Sequence, residues 1–270
     1  LRLLSLSLLC FQFTQFSQAQ ESSRFIRFIP GLLDWEGELQ TSIVSFSNSL
    51  GTKLDLVSAV HLGDKEYYEK LNAEFRSKDI VLYELVAEVE QKPSINSIQS
   101  NSSPVSFLQK AMGNFLRLSF QLEEIDYSPE NFTHADLSPR QLRLAMEAKD
   151  QNLLSAFLAL VATQSPEYDL EESSQETIKS LNVMSLLNAL TSGDHVNSLK
   201  YLFGSELGKA DDIGLTEEIE NEIPILGDRN RAVIKRLVEV TSDSEIKQIA
   251  IFYGAAHMPG IERLVMEELG

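Results

Sequence analysis

Residues Leu54 to Val86 read LDLVSAVHLGDKEYYEKLNAEFRSKDIVLYELV, and the reading of this stretch decides the fold. Leu54 to Val60 is a nearly continuous apolar run, the pattern of a strand covered on both faces. Asp64 is placed to cap a helix, and Tyr68, Leu71 and Phe75 fall at helical spacing, which predicts a helix over 65–77 with one apolar face. Asp79 to Val86 is a second buried strand. Strand, helix and strand within about thirty residues make a βαβ unit, for which a right-handed crossover and parallel strands are expected. His61 and Glu84 then fall at the carboxyl ends of neighbouring strands, the edge where open α/β sheets bind ligands.

Working outward, a short strand is expected at Phe25 to Ile29, ended by Pro30-Gly31. Leu39 to Asn48 alternates, and Ser49-Leu50-Gly51-Thr52 forms a turn into Lys53, so these runs read as a hairpin. Ala87 to Pro104 is rich in Ser, Asn and Gln and reads as a long loop that starts an insertion. Phe107 to Leu122 has helical spacing, with Leu108, Met112 and Phe115 on one stripe. Ser138-Pro139 begins a helix that runs to about Thr163, since Pro suits the first helical position. Gln164 to Glu176 is an acidic, solvated loop, and Thr177 to Leu190 and His195 to Leu207 are two more helices. Asp228 caps a helix with Val233, Leu237 and Val240 on one face, Gln248 to Tyr253 is a third apolar strand, and Met258 to Leu269 is a helix with Pro259 in its first turn. The expected fold class is α/β: a mixed, mainly parallel central sheet flanked by helices. It forms one domain over residues 21–270, with a largely helical middle layer or insertion at about 105–208.

The chain has 270 residues, 43% of them hydrophobic, enough for one sizeable core. Its net charge of −17 and pI near 4.6 argue against nucleic acid or an anionic membrane surface as partner. Residues 1–20 carry one charge, Arg2, then a Leu- and Phe-rich run and Ser17-Gln18-Ala19, which reads as a secretory signal peptide cleaved near Ala19. A secreted or periplasmic protein is expected. A lipoprotein signal ending at Cys10 fits less well, because Leu9 stands where a small residue is wanted. Cys10 is the only cysteine, so the exported chain would have no disulfide, thiolate nucleophile or cysteine-ligated metal. No later apolar run approaches the ~18 residues of an integral membrane span.

The chemistry concentrates in a repeated arrangement. His61 and His257 each follow an apolar strand and three small residues, Ser58-Ala59-Val60 and Gly254-Ala255-Ala256. Small residues let a backbone or ligand approach. Each imidazole also lies near a helix start, where the dipole favours the neutral ring that ligates metal or accepts a proton. A lone histidine of this kind is more often structural, but the same arrangement occurring twice points to a site. Glu84, inside an apolar run, costs several kcal/mol to bury unless it meets an Arg, a metal or a proton. Arg229 or Arg231 would supply an ion pair, and both are unusual as cations in a helix first turn. His134, next to a carboxylate in a loop before a helix, is a third candidate ligand and equally a surface histidine. Asp64 reads as a cap more than as a ligand, and His195 as solvated. There is no HExxH, Gly-rich phosphate loop or GxSxG.

The segments AVHLGDKEYYEKLN and VLYELV, the helix start Asp228-Arg229-Asn230, and IFYGAAHMPGIE together resemble the TraB/PrgY/GumN group. That group includes the Tiki proteases and is related to the erythromycin esterase and ChaN-like fold. The group's second GxxH motif is matched by Gly254 to His257, its glutamate by Glu84 and its Arg-Asn pair by Arg229-Asn230, over most of residues 40–269. The first GxxH motif departs, with Ser58 where Gly is usual. The resemblance implies a metal-dependent hydrolase, most naturally a peptidase, with the histidines and Glu84 around a divalent ion such as manganese, cobalt or zinc. Two neutral imidazoles and a carboxylate suit an ion that activates water and keeps an open position for substrate. Arg229 would neutralise an oxyanion or a substrate carboxylate. A protein that holds a peptide, small molecule or haem in the same cleft without turning it over is the alternative.

Overall fold

The computed structural model describes residues 24–87, 118–149, 194–208 and 226–269. It opens with an antiparallel hairpin of β1 (Ile26–Pro30) and β2 (Gly37–Thr41). A second hairpin, β3 (Ile43–Ser47) and β4 (Lys53–Ala59), follows directly. Its turn closes because Gly51 takes φ +79° and the Asn48 side chain accepts from the amides of Leu50 and Thr52, both at 3.0 Å. The run expected as one strand over 39–48 is therefore split at Ser42. There the amide donates to the Phe25 carbonyl and the hydroxyl to that of Arg24, so the chain leaves one sheet and enters the other.

The chain continues through β5 (Leu62–Gly63), α1 (Lys65–Phe75), β6 (Ile80–Tyr83), β7 (Ser119–Phe120), α2 (Gln121–Glu124), β8 (Phe132–His134) and α3 (Pro139–Ala148). It then passes through α4 (His195–Leu207), α5 (Gly227–Thr241) and β9 (Gln248–Gly254). A 3-10 turn, Ala255–His257, leads into α6 (Met258–Glu268). The main sheet has five strands in the order β3-β4-β9-β6-β8. β4, β9, β6 and β8 run parallel, and β3 is antiparallel to β4. The α/β class and the mainly parallel sheet are as expected.

The inner strands β4, β9 and β6 are buried on both sides, and successive residues feed two cores. Leu54, Leu56, Leu82, Ile249, Ile251 and Tyr253 pack with Val233, Leu237, Ile261 and Val265 of α5 and α6. Val57, Ala59, Val81, Tyr83, Ala250 and Phe252 pack with Tyr68, Leu71 and Phe75 of α1 and with Ile125, Tyr127 and Phe132.

Several boundaries differ from expectation. β4 and β6 are parallel but not neighbours: β9 lies between them, because its run Ile249 to Tyr253 is wholly buried and needs a central place. Asn131 to Asp136, expected as a loop, contains the edge strand β8, anchored by Phe132 against Phe75, Tyr83 and Tyr127. Within the helix expected over 107–122, Ser119 and Phe120 are extended, since Phe120 pairs with Leu62, and a separate short helix starts at Gln121. The helix at Pro139 ends at Ala148, well short of Thr163, and begins with a full capping box between Ser138 and Gln141. Asp228 lies inside the first turn of α5 and does not cap it. Asp64 does hold the N-cap position of α1, yet its side chain makes no cap bond and faces Lys200 at 3.5 Å. The signal peptide, the 87–104 loop, the stripe of Leu108, Met112 and Phe115, the acidic loop and the 177–190 helix lie largely or wholly outside the described residues.

Leu237 is fully buried between the sheet and α6, while Val238 beside it is 44% exposed. Chemical denaturation of Leu237→Ala is expected to show a loss of about 2–5 kcal/mol. Val238→Ala should stay within about 0.5 kcal/mol of the wild type.

Candidate functional site

Four parallel strands deliver a polar residue to one edge of the sheet. His61 follows β4, His257 follows β9, Glu84 follows β6 and Asp136 follows β8. α5 crosses this edge and inserts Arg229 and Asn230, both buried, from its first turn.

Arg229 organises the cluster. Its Nε donates to Asp136 Oδ1 (2.9 Å) and its Nη2 to Asp136 Oδ2 (2.5 Å) and Glu84 Oε1 (2.7 Å). Nη1 lies 3.4 Å from His257 Nε2. The second Glu84 oxygen accepts from the Gly254 amide at 2.6 Å. Gly254 is needed at this point because a Cβ there would stand 3.3 Å from that oxygen. Burial alone would raise the Glu84 pKa, but the Arg229 guanidinium and His257, with a smaller pull from His61, hold it well below the ordinary 4.5. Arg229 is in turn held above its usual value: burial opposes its charge, and the two carboxylates more than compensate. The Tyr253 phenol, raised by burial, stays protonated and donates to the Ala135 carbonyl at 2.6 Å, with its ring edge-on to His257.

The two histidines are held in the same way by different residues. His257 Nδ1 lies 2.7 Å from Asn230 Oδ1, an oxygen that only accepts, so Nδ1 carries a proton, and in the neutral ring Nε2 is the lone-pair nitrogen, facing the Arg229 Nη1 donor. His61 Nδ1 lies 3.2 Å from Gln121 Oε1, and the orientation of that amide is set by Gln121 Nε2 donating to Tyr127 at 3.1 Å. His61 Nε2 is therefore also the lone-pair nitrogen of the neutral ring. β5 and β7 make this contact possible: their pairing brings the Gln121 amide onto the His61 carbonyl at 3.0 Å. His257 is buried and His61 exposed, so the cluster opens to solvent on the His61 side.

Of the residues singled out in the sequence, Glu84, His257, Arg229, Asn230 and Gly254 are in direct contact, with His61 at the rim. His134 is apart from them: its Nε2 donates to the Leu85 carbonyl at 2.6 Å, and its ring packs on Tyr83. Asp64 is exposed and paired loosely with Lys200. Arg231 pairs with Asp228 at 2.9 Å and takes no part. Arg229 is turned inward between two carboxylates, so a contact with an oxyanion or substrate carboxylate is not the role these bonds give it. Asp136, Gln121 and Tyr253 are the members that sequence reasoning missed. Asp136 stood two residues from a candidate histidine, and recognising β8 as a strand would have placed it at the same edge as Glu84. Ser58, the departure from the first GxxH motif, is fully buried, and its hydroxyl has no hydrogen-bond partner among the described residues.

A metal fits part of this arrangement. His257 Nε2 and Glu84 Oε1 are 3.5 Å apart, close to the spacing of two donors that share an ion at about 2.0–2.2 Å. The amide oxygens behind both imidazoles are the kind of outer partner that orients ligating histidines. Among the described residues no three His, Cys, Asp or Glu side chains converge as a complete metal group, so His61 would have to close on the pair from the rim. Comparison of the chain with protein-family models, with curated proteins and with solved structures gives no match in any of the three.

The depressed Glu84 pKa has a stability consequence. A carboxyl held below its unfolded value contributes stability that is present above about pH 4.5 and is lost as pH falls through the folded value. Urea titrations across the acid range should show a shallower acid loss for Glu84→Gln than for the wild type. Asp136→Asn leaves Arg229 paired with Glu84 but weakens its two bonds to Asp136, and should cost about 1–3 kcal/mol at neutral pH.

Proposed function

We propose that the chain is an exported, metal-dependent hydrolase acting on peptides. Its main support is a charge imbalance in the buried cluster. Glu84 and Asp136 carry two negative charges against the one positive charge of Arg229, beside a histidine whose Nε2 offers a lone pair. A buried excess of one negative charge calls for a cation, either a proton on His257 or a metal ion. The same amide-to-Nδ1 arrangement behind His61 favours the metal, because a histidine at an open rim has no structural need of it. The resemblance to the TraB/PrgY/GumN group supplies the reaction class and the peptide substrate.

His257 and Glu84 would hold a divalent ion, manganese, cobalt or zinc, with His61 as the third ligand and His134 outside the set. When bound, such an ion acts as a Lewis acid and makes water a nucleophile at neutral pH. The protein's own groups prepare the place. Asn230 and Gln121 orient both rings through Nδ1, and an ion at His257 Nε2 would take the place of its contact with Arg229 Nη1. Asp136 fixes the Arg229 guanidinium through two bonds, and Arg229 keeps Glu84 ionised. The Gly254 amide occupies Oε2 and so directs Oε1 toward His257. Substrate would arrive from the His61 side, where the ring is exposed, and Arg229 acts as a positioning residue behind Glu84.

Metal analysis of the purified full-length protein is expected to find about one divalent ion per chain, with cleavage of a peptide mixture abolished by chelation and by His257→Ala. Absence of bound metal together with equal activity in wild type and His257→Ala would reject the reading. Asn230→Ala should weaken metal affinity about 10–100-fold while leaving the chain folded.

A further inference from the structure

A cleft of about 770 Å³ lies between the β1–β2 hairpin, the connection from β4 to α1, and α4. Val60, the residue before His61, is in its wall, so the cleft opens beside the exposed end of the cluster. Its other wall is β2, all five residues of which, Gly37 to Thr41, line it. A strand that turns a face to a cleft contributes alternate residues, because successive side chains point to opposite sides. Five in succession mean that β2 presents its edge. β2 is paired with β1 on one side, and among the described residues no strand pairs with its other side. An unpaired edge is a row of N–H and C=O groups that an added extended chain satisfies.

The end of the cleft is aromatic and firmly built. Tyr201 of α4 meets Phe28 and Trp35 edge-on, with ring centroids at 5.0 and 5.9 Å. α4 approaches this closely because Gly204 and Gly208 face the hairpin: a Cβ at Gly208 would stand 2.7 Å from the Phe28 amide nitrogen. Trp35 takes φ +63°, in the left-handed region, and this tight conformation carries the indole into the cleft wall.

We infer that this cleft binds an extended peptide segment as an added strand on the free edge of β2, with a bulky apolar side chain seated against Trp35 and Tyr201. Calling that peptide the substrate rests on the hydrolase reading; the binding itself does not.

Binding is read by fluorescence anisotropy on the full-length protein in EDTA, so that no cleavage intervenes. The probes are fluorescein-labelled peptides of about seven residues with Thr and Ser flanks and a central Phe, Leu or Asp. Saturable binding in the micromolar range is expected for Phe and Leu and at least tenfold weaker binding for Asp; the idea is overturned if none binds below millimolar, or if Asp binds as well as Phe. Two further versions of the Phe peptide carry N-methyl groups at odd or at even positions. Alternate amides of a strand face opposite edges, so one version should bind at least tenfold more weakly and the other should keep its affinity. Equal behaviour of the two would overturn strand addition. Trp35→Gly removes the indole while suiting the left-handed backbone, so the fold should survive by circular dichroism and affinity should fall about tenfold. Unchanged affinity would remove Trp35 from the site. Metal content and cleavage, measured separately, decide the hydrolase reading without deciding this one.

Discussion

The guanidinium of Arg229, clamped between Asp136 and Glu84, is the contact on which the polar cluster at the sheet edge depends. Each of the three groups would be costly to bury alone, and together they are tolerated because every charge has a partner at hydrogen-bond distance. The clamp also joins distant parts of the chain. Glu84 comes from the first βαβ unit, Asp136 from the edge strand and Arg229 from α5, so the cluster exists only when the sheet is complete. Such a triad contributes less to net stability than to uniqueness: an alternative register would leave a charge without its partner.

Around this clamp the polar groups are graded by depth. Asp136 is fully enclosed, Glu84 and His257 are nearly so, and His61 meets solvent. The gradient gives the cluster a direction, with the ordering groups behind and the accessible ring in front. Amide side chains perform the same task twice, Asn230 for His257 and Gln121 for His61, each accepting from Nδ1, while His257 Nε2 faces Arg229 and Glu84.

The central sheet was legible because its strands are nearly continuous apolar runs, and a strand buried on two faces has few other ways to read. Glu84 and His257 stood out for the same reason, as polar interruptions at the ends of such runs. β8 was not legible: Phe132 to His134 is only three residues long, and an edge strand is made by the neighbour that pairs with it more than by its own pattern. Asp136 was lost with it. The order of strands was also hidden, since periodicity says that β9 is buried but not between which neighbours it lies.

By itself the sequence determined the class of fold, the position of the βαβ unit, and the three residues His61, Glu84 and His257 as members of one edge, because hydrophobic period and the cost of buried charge are local properties of the chain. Tertiary structure alone decided that β9 separates β4 from β6, that Arg229 turns inward to two carboxylates, that His134 turns aside to a backbone carbonyl, and that β2, among the described residues, has one edge unpaired. Those outcomes depend on which groups meet across long stretches of sequence, from 49 residues for His134 and Leu85 to 145 for Arg229 and Glu84. No local pattern encodes a partner at that distance; the closing of the sheet does.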